Sequence, residues 1–177
     1  MKNLVLFAFI LFFSNAITVY SQDQSITKFK IYKNRNYKAK YPSTWDSKNF
    51  HGLIRFIPKK IKSQNITGPN HVSINLVSIS SNSDNIETIL ESHAKTLYPH
   101  EVEKKYKVTR IKNHPKFIYK IEYDLLLNYG DEIYKAISFF YKKGSNLRYY
   151  SYLIRADLFD EFYTGAMFII NSVEDKF

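Results

Sequence analysis

Four stretches between residues 103 and 154 alternate apolar and polar side chains and are separated by only a few turn residues, and this spacing restricts the chain more than any other feature. Residues 103–112, 116–127, 132–142 and 146–154 read as strands, joined at Asn113-His114-Pro115, Gly130-Asp131 and Gly144-Ser145. A parallel neighbour needs a crossover of a dozen residues or more, so connections this short force antiparallel pairing. Within the second stretch Phe117, Tyr119, Ile121 and Tyr123 share one side and Lys120 and Glu122 the other. That strand is predicted to have a wet face or to lie under a solvated helix.

Upstream, residues 28–33 set Phe29 and Ile31 against Lys28 and Lys30, and Tyr37, Ala39 and Tyr41 alternate with Lys38 and Lys40. This predicts two half-buried strands, with residues 50–57 and 72–79 as two more. Residues 59–70, rich in Lys, Ser and Asn with Gly68 and Pro69, read as an exposed loop. A helix follows: Asp84 can cap it, Glu87 sits at the capping-box position, Ile86, Ile89, Leu90, Ala94 and Leu97 recur at helical spacing, and Pro99 stops it. A second helix begins near Asp157, where Asp157, Asp160 and Glu161 complement the helix dipole, and buries Leu158, Phe162, Ala166, Ile169, Ile170 and Val173. Strands, a helix, a run of antiparallel strands and a closing helix define an α+β layered domain, not a doubly wound parallel one.

The chain opens with Lys2, an apolar run from Leu4 to Phe13, and then Ser14, Asn15, Thr18 and Ser21 before its first acid, Asp23. This is the order of a cleavable secretory signal, and the apolar run falls short of the ~20 residues that cross a bilayer. Val19 and Ser21 suit the cleaving peptidase, leaving Gln22 first, with a cut after Ala16 as the alternative. The expected organisation is a signal peptide over 1–21 and one domain over 22–177, exported to the periplasm or secreted, with no transmembrane span after cleavage. Cysteine is absent, which excludes disulfides, a thiol nucleophile, thiolate metal ligation and a lipoprotein lipid acceptor. A formal charge of +10 implies attraction to polyanions. Export, together with 21 Lys against 5 Arg, argues against nucleic acid as the partner.

Residues 37–45, Tyr-Lys-Ala-Lys-Tyr-Pro-Ser-Thr-Trp, are similar to an early strand ending in Tyr-Pro-x-x-Trp. A strand leading into a capped helix over residues 71–97, and a closing strand and helix ending in Phe168-Ile169-Ile170-Asn171-Ser172, complete the likeness. On these residues the chain resembles the PsbP-like domains, the family of the extrinsic photosystem protein PsbP and of exported bacterial relatives such as DcrB. It has Ser172-Val173 where members usually have Ser-Phe. The resemblance implies a central antiparallel sheet flanked by helices on both faces, and a non-enzymatic role in docking to or stabilising another assembly. Metal binding by photosystem members is not carried over, since no matching His or acidic motif stands here. Independently of any family, Pro42 holds Tyr41 extended and ends the ladder, so that Trp45 can turn back onto the core.

Catalytic templates find no match. Gly52, Gly68, Gly130, Gly144 and Gly165 are too dispersed for a phosphate loop or a nucleophile elbow, and Lys104 stands where His100-Glu101 would need its second His. His51, His71, His93 and His114 read as satisfied or solvent-facing, and no catalytic, metal or cofactor residue is assigned. An enzyme site assembled from dispersed His and carboxylates remains the non-local alternative. Base distribution is uneven: residues 28–62 carry eleven Lys and Arg against Asp46 alone, and residues 104–120 carry seven against no acid. Lys28, Lys30, Lys38, Lys40, Lys105 and Lys107 occupy the polar parity of their strands. They can merge into one positive face for acidic polysaccharide, lipid headgroups or an acidic partner protein, or form a merely solvated one. Tyr149, Tyr150 and Tyr152 are the candidate aromatic platform, with Tyr149 on the opposite parity from the other two.

Overall fold

Strands dominate the computed structural model, which describes residues 26–50, 53–74, 79–80, 85–97, 101–127 and 132–176. The expected signal segment, His51, Asp84, Pro99, His100 and Asp131 lie outside the described residues. β1 (Phe29–Lys33) and β2 (Tyr37–Pro42) form a hairpin whose turn is held by the Asn34 side chain, which accepts from the amides of Asn36 and Tyr37 at 2.9 Å. β3 (Trp45–Phe50) and β4 (Leu53–Pro58) form a second hairpin, followed by the short helix α1 (Lys59–Ser63). β5 (His71–Ile74) and β6 (Ile79–Ser80) precede α2 (Ile86–Thr96), capped by the Asn85 side chain, which accepts from the Thr88 amide. Then come β7 (Glu101–Arg110), β8 (Tyr119–Leu127), β9 (Ile133–Lys143) and β10 (Asn146–Arg155). A 3₁₀ turn (Ala156–Leu158), α3 (Phe159–Asn171) and β11 (Glu174–Asp175) close the chain.

All pairings among these strands are antiparallel. β1-β2-β11 make a three-stranded sheet, and β3-β4-β5-β10-β9-β8-β7 make the main one, with β6 added on β10. The short connections of the 103–154 region therefore become a β7-β8-β9-β10 meander, as expected. Side chains of alternate parity on β10 enter two different clusters. Tyr150, Tyr152 and Ile154 pack with Ile54, Phe56, Val72 and Ile74, with Tyr37, Ala39 and Tyr41 of the small sheet, and with Ala166, Ile169 and Ile170 of α3. Leu147, Tyr149 and Leu153 pack with Ile121, Leu125 and Phe140 and with Leu90 and Ala94 of α2. Each such fully buried aliphatic or aromatic side chain contributes roughly 1.5–3 kcal/mol.

Several expectations are corrected. Residues 59–70 are not wholly loop, because Pro58 leads into α1 and Ile61 anchors it in the core. Asn85 supplies the helix cap, and Asp84, expected in that role, lies outside the described residues. Residues 45–50 form a strand that the polar run Asp46-Ser47-Lys48-Asn49 conceals, and β4 holds it in register. Most consequential is β1. Phe29 and Ile31 are 46% and 55% exposed, while Tyr32, on the other parity, packs against Tyr37 and Phe56 with ring centroids 5.8 and 6.1 Å away. The bulkiest side chain of the strand takes the core side and turns the other two outward.

Candidate functional site

A groove of about 1020 Å³ runs between the β2–β3 turn, α1 and the first turns of α3. Its apolar wall is Ile26, Pro42, Trp45 and Phe162. Pro42 ends β2 as expected, and Trp45, only 3% exposed, turns inward to meet the Phe162 ring edge-on at 6.1 Å. α3 passes over this indole because position 165 is glycine: a Cβ there would stand 3.0 Å from Trp45 Cζ2 and Nε1. Lys59 Nζ donates to the Ser43 carbonyl at 2.8 Å and its amide donates to Thr44 O at 2.9 Å, which pins the turn to α1. Across the groove Lys60 Nζ meets Glu161 Oε1 at 2.7 Å. Just outside it Lys62 pairs with Asp46 at 2.8 Å, and that hydrogen bond, helped by Lys59 and Lys30, holds the Asp46 carboxyl below its usual range. The result is an aromatic floor with a rim carrying both charge signs.

The six candidate lysines do not form one face. Lys30 lies opposite Tyr41 and Ile31 opposite Lys40, so Lys28 and Lys30 share the parity of Tyr32, while Lys38 and Lys40 share the outer face with Phe29 and Ile31. Lys38 pairs with Glu174 at 3.2 Å, and Lys40 Nζ stands 5.3 Å from the Phe29 ring. Lys105 and Lys107 belong to β7, at the far edge of the other sheet. There Lys105 is in register with Asp124 and Lys107 with Glu122, and both lysines line a groove of about 370 Å³ that also contains those acids, Lys135 and Phe159. This is the wet face expected of β8, and its charge is mixed.

Tyr149, Tyr150 and Tyr152 are core residues, not a surface platform, being 5%, 1% and 0% exposed. Tyr149 does face away from the other two, but the α2-side cluster covers it, stacked on Phe140 at 5.1 Å. Burial raises the pKa of all three, further assisted at Tyr150 by Tyr141 and Asp175. The Tyr150 hydroxyl donates to Asp175 at 3.0 Å, lies 2.9 Å from the Tyr141 hydroxyl, and accepts from Lys116 Nζ at 3.1 Å. Lys116 also donates to the Val173 carbonyl at 2.8 Å, so the network fastens the chain end to the sheet. Burial lowers the Lys116 pKa.

The described histidines have structural settings. His114 Nδ1 accepts from the amides of Lys116 and Phe117 at 3.1 and 3.0 Å. His93 meets the stacked rings of Phe140 and Tyr149 edge-on, with centroids 5.9 and 5.2 Å away, and burial lowers its pKa. Burial, with Arg55 nearby, pulls His71 down to about 3. Among the described residues no group of three or more His, Asp or Glu is placed to hold a metal ion.

The groove is not legible in the sequence because its walls come from segments more than a hundred positions apart; Asp160 and Glu161 have a sufficient local reading as first-turn acids of α3. Of its lining, only the Pro42-to-Trp45 segment belongs to a motif the sequence singles out, and there as a packing element.

No family model matches the sequence, and no curated protein matches it. Among solved structures the chain is similar to cyanobacterial PsbP (CyanoP) from Synechocystis sp. PCC 6803 in solution, at 15% identity and a TM-score of 0.54, covering 84% of this chain and 92% of that one. The likeness shows a PsbP-like fold, sheet-dominated and with few helices.

Proposed function

We propose that the protein is an exported, non-enzymatic binding or assembly module of the PsbP-like kind, a single domain over residues 22–177, and that a polypeptide segment of its partner docks in the groove beside Trp45. The observation that carries this reading is the groove itself: an apolar wall of Ile26, Pro42, Trp45 and Phe162, with Lys59 and Lys60 on one side and Asp160 and Glu161 on the other. An extended chain offers both amide dipoles and side chains of either sign, which a two-signed rim over an aromatic floor accommodates. The likeness to PsbP adds an analogy at the level of the fold. The α2 and α3 clusters support a layered reading with one helix on each face of the main sheet. Among the described residues no helix is long and apolar enough to cross a membrane.

The test is site-specific photocrosslinking of the full chain in cells, with the reactive group at Thr44 or Thr164 on the groove and at Glu91 on α2 as control. Discrete protein adducts from the groove positions, lost in a Phe162→Glu background and absent from Glu91, are expected. Identical adduct patterns from all three positions refute the docking site.

A further inference from the structure

We infer that the outer face of the small sheet, built from Phe29, Ile31, Lys33, Lys38 and Lys40, docks the protein on an anionic lipid surface. The register puts these side chains in rows: Phe29 opposite Pro42, Ile31 opposite Lys40, Lys33 opposite Lys38. Phe29 and Ile31 are among the most exposed large apolar side chains described, and they stand two residues apart on an edge strand. Phe168 of α3 lies against Phe29 with ring centroids 6.1 Å apart. Three lysines surround it, and Glu174 pairs with Lys38 at 3.2 Å. Exposed Arg35 and Lys28 extend the positive field around the sheet edge.

The composition of this face selects its occupant. Two exposed side chains cannot supply the roughly 800 Å² per partner that a stable protein interface buries. A strand adding to the open edge of β1 would meet Lys28, Lys30 and Lys33, the kind of edge lysines that block sheet extension. An anionic bilayer needs neither a large apolar area nor strand pairing: apolar side chains enter the headgroup boundary, and each nearby lysine adds electrostatic attraction that salt screens. The β7 lysines cannot do the same, because Asp124 and Glu122 stand in register with them.

The experiment is vesicle co-flotation of the purified protein, with phosphatidylcholine vesicles containing or lacking phosphatidylglycerol, at low and at physiological salt. Four proteins are compared after circular dichroism confirms that each is folded: wild type, Phe29→Ser/Ile31→Ser, Lys33→Glu/Lys40→Glu, and Lys105→Glu/Lys107→Glu. We expect binding to the anionic vesicles alone, falling steeply with salt, reduced about tenfold or more by either small-sheet pair and unchanged by the β7 pair. Equal binding to neutral vesicles, equal loss in the β7 pair, unimpaired binding by Phe29→Ser/Ile31→Ser, or binding to a soluble acidic polysaccharide with none to vesicles would each overturn the inference. Because none of these substitutions lines the Trp45 groove, a failure here leaves the groove reading standing, and the converse holds.

Discussion

Raising the pH should unfold this protein in one cooperative step, driven by its tyrosines. Tyr37, Tyr134, Tyr141, Tyr149, Tyr150 and Tyr152 are all buried. Desolvation is the leading cause of a raised pKa at each, with Tyr141 pushed up to about 12. Above the ordinary value near 10 the unfolded chain loses these protons while the folded chain keeps them, so the folded state binds more protons and stability falls as pH rises. Each retained proton costs about 1.4 kcal/mol per pH unit, or roughly 8 kcal/mol per unit for six groups. Even where only half of these protons are retained, about 4 kcal/mol per pH unit remains, against a total stability of about 5–15 kcal/mol for a typical domain. Lys116 works in the opposite sense, since its lowered pKa makes the fold gain stability as pH rises toward the ordinary lysine value, but it is one group against six. Stepwise alkaline titration, followed by phenolate absorbance and far-ultraviolet circular dichroism, should show buried phenolates appearing together with loss of strand signal. Complete phenolate formation near pH 10 with the strand signal intact would refute the burial argument.

At the acid end, His71, pulled down to about 3, stays neutral in the fold while the unfolded chain takes up a proton below about 6.5. Stability should therefore fall as pH drops through that window, by about 1.4 kcal/mol per unit, and His71→Gln should flatten the slope in urea titrations at successive pH values. Gly68 has φ +84 and a Cβ there would run into the Tyr134 hydroxyl, so Gly68→Ala should cost more than about 2 kcal/mol. Tyr134→Phe in the same chain should restore part of that loss in thermal melts, and restoration of none would count against the contact. Ser172 Oγ accepts from the Lys40 amide at 2.8 Å and donates to its carbonyl at 2.9 Å, closing the open side of β2. Ser172→Ala should lower stability by about 1–3 kcal/mol and speed hydrogen exchange at the Lys40 amide.

Local chemistry was legible in the sequence where one element decides it. The short turns between residues 103 and 154 forced the β7–β10 meander, and Tyr41-Pro42 forced the end of β2 with Trp45 folding inward. Period-two alternation did less well at β1, because it cannot say which parity is buried when both contain large side chains; Tyr32 won that side through contacts with Tyr37 and Phe56. It also misled at Tyr149, Tyr150 and Tyr152, since a strand covered on both faces leaves neither parity for the surface. The groove at Trp45 was only half visible, as Phe162 and Gly165 reach it from a helix more than a hundred residues further along.

Charge shows the same limit most sharply. Residues 28–40 and 104–107 are both lysine-rich, and nothing local distinguishes them. Topology does, because β7 pairs with β8, whose Glu122 and Asp124 fall opposite Lys107 and Lys105, whereas β2 pairs with β1, where Lys33 falls opposite Lys38. β11 brings two acids to the small sheet: Glu174, 136 residues from Lys38, pairs with it, while Asp175 accepts from the Tyr150 hydroxyl. One lysine cluster is thus diluted by its neighbouring strand and the other is reinforced by it. Exchanging Glu174 for lysine should strengthen anionic-surface binding measurably, while Glu122→Lys on the main sheet should strengthen it less; because the two exchanges change the net charge equally, equal strengthening would mean that total charge, not strand pairing, sets the affinity.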